Sequence, residues 1–107
     1  MDPTKPAISV AFEGTISDGS LGYFSKGHAS IDGAMDALQE LSRKYRLVIC
    51  TSNTPSKFEE ITDWIVRNRG ARYFNFEVTN IRPTAVHYIE KRAVKFENWS
   101  QVMSLLG

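Results

Sequence analysis

The chain holds one cysteine, Cys50, so no internal disulfide can form and the fold must rest on packing. Such sparing cysteine use suits a reducing compartment. Net charge is also scarce: 13 basic against 12 acidic residues leave +1. That removes any global attraction to nucleic acid or to an anionic membrane. No apolar stretch approaches the roughly 20 residues that a membrane helix needs. Residues 1–6 carry Asp2 and two prolines and lack the apolar centre of a signal peptide. A cytoplasmic protein with no membrane partner is therefore expected. No repeat, low-complexity tract or linker interrupts the 107 residues, a length that predicts a single domain over residues 1–107.

Short apolar runs alternate with amphipathic stretches, the pattern of βαβ units around a mostly parallel sheet. The first strand is expected over residues 7–12. Residues 13–29 contain Gly14, Gly19, Gly22 and Gly27 and read as a loop or small hairpin. A helix is expected over residues 31–45, capped by Ser30 or Asp32, with Ile31, Ala34, Leu38, Leu41 and Tyr45 on one face. Residues 47–51 form a continuous apolar run, as in a strand covered on both sides. Thr54 and Pro55 read as the N-cap and first residue of a second helix that ends at Gly70. Strands are expected over residues 73–78 and 85–89, with a short fifth over 93–96. Asn98 or Ser100 would cap a last helix whose Trp99, Val102, Met103 and Leu106 share a face. The fold class this implies is α/β, Rossmann-like, with four to five mostly parallel strands flanked by helices and no cap domain.

Ligands of open α/β sheets bind beyond the carboxyl ends of the strands, so the residues there are the candidates. Glu13, Gly14 and Thr15 follow the first strand. Thr51, Ser52 and Asn53 follow the second, beside a helix N-terminus. Arg82 precedes the fourth strand, and Glu90, Lys91 and Arg92 follow it. Hydroxyls, two carboxylates, three cationic side chains and a helix N-terminus in one crevice would suit an anion such as phosphate.

Four of these segments, in this order, resemble the motifs of the haloacid-dehalogenase superfamily over nearly the whole chain. Its first motif is an apolar strand ending in Asp-x-Asp-Gly-Thr; here the strand runs from Ile8 to Phe12 and into Glu13-Gly14-Thr15, with Ala11 at the first aspartate. Its second is an apolar strand ending in Thr or Ser, matched by Leu47 to Ser52. Its third supplies a lysine, often before proline, where this chain has Arg82-Pro83. Its fourth ends a strand in acidic residues, where this chain has Glu90-Lys91. The resemblance implies a small capless phosphatase-like domain. Gly14, Thr15, Thr51, Ser52, Arg82 and Lys91 would stand at the phosphate-binding positions, Glu13 at the general acid/base position, and Glu90 at a metal-ligand position.

The same resemblance implies impaired catalysis. The family's first aspartate attacks phosphorus, and the methyl group of Ala11 cannot. Glu13 keeps a carboxyl but is one methylene longer, and a displacement near 1 Å already costs about a hundredfold. Arg82 replaces a point cation with a planar fork. The family's Mg²⁺ needs several oxygen ligands, and Lys91 repels it, so metal binding is expected to be weak or lost. A single engineered change would account for Ala11 alone, not for Glu13, Arg82 and Lys91 together. Three readings follow: a pseudo-phosphatase that binds a phosphorylated ligand or protein partner, an atypical phosphatase working through Glu13, and a purely structural interaction module.

The remaining candidates read more simply. His87 is expected to be a packed or edge histidine, His28 a loop residue, and Cys50 a buried, inert thiol. Arg67, Arg69 and Arg72 read as a solvated helix end rather than a nucleic-acid contact. Leu21, Tyr23 and Phe24 would either contact a partner or fold back as a flap.

Overall fold

A computed structural model describes residues 5–17, 33–90 and 98–106. Four short strands form one wholly parallel sheet: β1 (Ala7–Ala11), β2 (Arg46–Cys50), β3 (Phe76–Thr79) and β4 (His87–Ile89). Their order is β3-β2-β1-β4, a Rossmann-like arrangement in which the chain reverses direction of travel between β1 and β4. Helices α1 (Ala34–Leu41), α2 (Phe58–Arg69) and α3 (Trp99–Leu106) flank it. The α/β class and parallel sheet are as the alternating pattern predicts. Among the described residues no helix is long and apolar enough to cross a membrane.

The sheet register sorts the strand residues into two faces, because successive side chains alternate. Ile8 lies opposite Leu47, and Val10 lies between Ile49 and Ile89. All five are buried and join Phe12, Leu38, Ile61, Ile65 and Trp99 in one core cluster. Full burial of such a side chain contributes about 1.5–3 kcal/mol, so this face holds the molecule together. The other face carries Ser9, Ala11, Val48 and Cys50, with Ala11 paired to Cys50 at the carboxyl end.

That second face is crossed by an unusual connection. β3 and β4 lie at opposite sides of β2 and β1, yet only residues 80–86 join them. The path is diagonal: three strand spacings of about 4.8 Å and about four residues of strand length, roughly 20 Å in all. Seven residues in a helix would span only about 10 Å, whereas extended chain reaches about 24 Å. The segment therefore crosses in open form. Tyr88, which pairs with Ser9 on this face, pins it there: its hydroxyl donates to the Pro83 carbonyl at 2.7 Å and accepts from the Ala85 N–H at 3.0 Å.

The helices depart from expectation at their ends. α1 occupies Ala34–Leu41 rather than residues 31–45 and begins after Gly33, whose φ of 82° lies in the left-handed region. Ser30 and Asp32, the expected caps, lie outside the described residues. Bonds from Arg43 N–H to Glu40 O and from Lys44 N–H to Leu41 O tighten the turn after it, and Tyr45 N–H closes on the Leu41 carbonyl at 2.8 Å. Pro55–Lys57 form a 3-10 turn leading into α2, with Thr54 as its extended N-cap, and Gly70 ends α2 at φ 61°. Asn98 caps α3, its Oδ1 accepting from the Gln101 N–H at 2.8 Å. The expected fifth strand, residues 93–96, lies outside the described residues.

Candidate functional site at the carboxyl ends of the strands

The carboxyl ends of β1 and β2 meet through Glu13. Phe12 N–H donates to Cys50 O at 2.8 Å, which carries the pairing one residue past the strands. Gly14, at φ 83°, then turns the chain, and its N–H donates to Ser17 O at 2.9 Å. This turn leaves the Glu13 side chain half-buried and directed at the loop after β2. Its Oε2 accepts from the Thr51 hydroxyl at 2.5 Å and from the Asn53 amide at 3.0 Å, and its Oε1 accepts from the Ser52 N–H at 3.3 Å. Thr51 is buried, and its Oγ1 accepts in turn from the Asn53 N–H at 3.1 Å. The result is a closed polar knot joining two strand ends.

Thr15 performs a local task. It is fully buried; its hydroxyl donates to the Ala11 carbonyl, and its own carbonyl accepts from the Trp99 indole N–H at 2.7 Å. The side chain thus closes the turn after β1, and α3 is tied to that turn.

A second knot involves the crossing segment and the end of β4. Arg82 Nη1 donates to Glu90 Oε1 at 2.6 Å, and the guanidinium stands 4.2 Å from the centroid of the Tyr88 ring. The bond to Glu90 raises the Arg82 pKa above its ordinary value. Arg82 is exposed and Glu90 half-buried. Glu90 directly follows Ile89, the partner of Val10, and so lies level with Ala11.

Cys50 stands between the two knots. It is half-buried rather than fully buried, which corrects the expectation for it. Burial raises its thiol pKa, the negative charges of Glu90 and Glu13 raise it further, and Arg82 offsets part of this. A raised pKa favours the protonated thiol over the nucleophilic thiolate.

The structure thus brings Ala11, Glu13, Thr51 and Ser52 to one end of the sheet, with Arg82 and Glu90 beside them; Lys91 lies outside the described residues, as do His28, Leu21, Tyr23 and Phe24. Asn53, a candidate from its place after the second strand, also builds this end, as do Tyr88 and Trp99, which were not candidates for the site. The only signal for Asn53 was its position two residues past a strand-end threonine. Away from the site, half-buried His87 packs edge-on against Tyr45 with centroids 5.8 Å apart. Arg69 donates to Phe74 O at 2.8 Å and Arg72 pairs with Asp36, so two of the three clustered arginines serve local packing. Among the described residues no group of three or more His, Cys, Asp or Glu side chains is placed to hold a metal ion. No family model matches the chain, and no curated protein matches it significantly.

Proposed function

We propose that this chain is a catalytically impaired phosphatase-like protein of the haloacid-dehalogenase type, whose crevice binds a phosphorylated ligand, free or on a protein partner, without turning it over. One observation carries the reading. Ala11 ends β1 at the point where the strand order reverses, the position a nucleophilic carboxylate would need. The carboxylate two residues on, Glu13, already accepts three hydrogen bonds. An attack or proton transfer by Glu13 would require it to leave those donors first.

The residues present do not fit the family's Mg²⁺. Both oxygens of Glu13 face hydrogen-bond donors, Glu90 faces a guanidinium, and Ala11 has no side-chain oxygen. Anion binding has a better footing. Arg82 is exposed and uses one of its five N–H donors on Glu90, and Lys91 follows in sequence.

The test has two arms. With p-nitrophenyl phosphate and Mg²⁺ the native protein should show no turnover above background. Titration with inorganic phosphate should shift the backbone NMR signals of Arg82 and its neighbours. Turnover would overturn the first half of the proposal, and the absence of saturable shifts the second. A purely structural module has its own support in the two closed knots, since polar groups satisfied internally are what such a module would keep. Reversing the charge of Arg82 separates the two: ligand binding fails if Arg82 serves it, and a structural module keeps its partner.

A further inference from the structure

Arg82 belongs to the crossing segment, whose own hold on the sheet is slight. Where the segment ends, the Val86 N–H joins the Ala7 carbonyl at 2.9 Å. Near its start the Ile81 N–H is spent locally, on Thr79 Oγ1 at 3.1 Å. Ile81 and Val86, its largest apolar side chains, are exposed, so burial of apolar surface fixes it weakly. Among the described residues, the hydrogen bonds that tie its middle to the sheet both go to one atom. That atom is the Tyr88 hydroxyl oxygen, which serves the Pro83 carbonyl and the Ala85 N–H together. A tyrosine hydroxyl can both donate and accept, and this one does both.

The same tyrosine meets Arg82 from a second direction. Its hydroxyl fixes the carbonyl of Pro83, the next residue in the chain, and its ring faces the guanidinium carbon at 4.2 Å. A cation over a tyrosine face within about 6 Å is attracted to it. Glu90 lies two residues beyond Tyr88 and, by the alternation of extended chain, on the same face; its Oε1 accepts from Arg82 Nη1 at 2.6 Å. Tyr88 itself is set in β4 opposite buried Ser9. Backbone bond, ring contact and carboxylate thus place one guanidinium from three sides, and two of the three come from Tyr88. An arginine meets phosphate as a planar fork through two parallel N–H bonds, so its attitude matters as well as its charge. Left free, so long a side chain would have to be ordered at binding, which costs about threefold to tenfold in affinity.

We infer that Tyr88 is the positioning residue of the carboxyl-end crevice, holding Arg82 in the attitude in which it receives a phosphate. The ligand part rests on the reading proposed above; the positioning part stands on contacts within the chain. Tyr88→Phe keeps the ring and removes both hydroxyl bonds, and Tyr88→Leu removes the ring contact as well. In the full chain without ligand, NMR relaxation of the Arg82 Nε–H should show an ordered side chain in the native protein. Order should fall in Tyr88→Phe and fall further in Tyr88→Leu. The Ala85 amide should exchange with solvent about threefold to tenfold faster in both variants. The amides of Val10 and Ile49, in the core strands, should stay in place and report an intact fold; if Tyr88→Leu disturbs them, Tyr88→Phe alone decides. Titration with inorganic phosphate should give affinities about threefold weaker in Tyr88→Phe and about tenfold weaker in Tyr88→Leu. A purely structural tyrosine would change stability and Ala85 exchange but neither Arg82 order nor phosphate affinity. Arg82 order equal to native in the variants overturns the inference, and so does phosphate affinity equal to native. No saturable phosphate binding by the native protein refutes instead the ligand reading, and with it the ligand part here, while the relaxation data still decide whether Tyr88 positions Arg82.

Discussion

Glu13 is the residue at which a tie and a catalyst make opposite predictions. As a tie, it joins the ends of β1 and β2 through the Thr51 hydroxyl, the Asn53 amide and the Ser52 N–H. A hydrogen bond to a charged acceptor contributes about 1.5–3 kcal/mol, but solvent reaches this half-buried carboxylate, so the three together are worth about 2 kcal/mol rather than their sum. Glu13→Ala removes all three and strands the buried Thr51 hydroxyl. Glu13→Gln keeps the shape but turns an amide N–H toward one of the donors, at a cost of about 1 kcal/mol. Urea unfolding followed by the fluorescence of the buried Trp64 and Trp99 should show the alanine midpoint falling by roughly 1 M, given slopes of about 1–3 kcal/mol per molar. A double-mutant cycle with Asn53→Ala should return a coupling of about 1 kcal/mol. A carboxylate poised for chemistry behaves otherwise, because active sites trade stability for function. If Glu13→Ala unfolds at an unchanged or higher urea concentration, the tie does not exist.

Four further outcomes follow, two from this geometry and two from the Cys50 thiol. Trp99→Phe leaves the Thr15 carbonyl without its indole donor in a buried setting, and should cost about 1–2 kcal/mol in the same unfolding assay. Arg82→Ala breaks an exposed pair and should move the melting temperature by no more than about 2 °C. Because the folded protein holds the Cys50 thiol above its ordinary pKa through burial and the charges of Glu90 and Glu13, the folded state binds that proton more tightly than the unfolded chain. The resulting stability is fully present below the unfolded thiol pKa and is lost as pH rises through the folded one. Urea midpoints of the native protein should therefore sag in that alkaline window and those of Cys50→Ala should not. Iodoacetamide should also modify the folded protein more slowly than the unfolded one at about pH 8.

The strands nearest the core were legible because their apolar runs match their burial: β1 and β2 begin and end within one residue of expectation. The stop at Gly70 and the cap at Asn98 were legible because each has a local chemical cause. The outer strands were over-read. Tyr73 and Phe74 favour a strand by type, but Arg69 takes the Phe74 carbonyl and the strand begins only at Phe76. Ala85 and Val86 read the same way, yet the Ala85 N–H goes to the Tyr88 hydroxyl and β4 begins at His87. At the site, the strand-end rule found the positions of Glu13, Thr51 and Glu90, Arg82 entered as the residue before the fourth strand, and Ala11 came only with the family resemblance. The rule did not find the closure of Glu13 on Asn53 or of Arg82 on Glu90. Those pairings depend on where side chains from separate loops converge, and no periodicity encodes that.

The measurement that bears most directly on the central claim is aryl phosphate hydrolysis by a restored variant carrying Ala11→Asp, Glu13→Asp and Lys91→Asp, assayed with Mg²⁺ beside the native protein. A degenerate phosphatase site predicts metal-dependent turnover in the variant and none in the native chain. Native turnover that Glu13→Gln abolishes would contradict it.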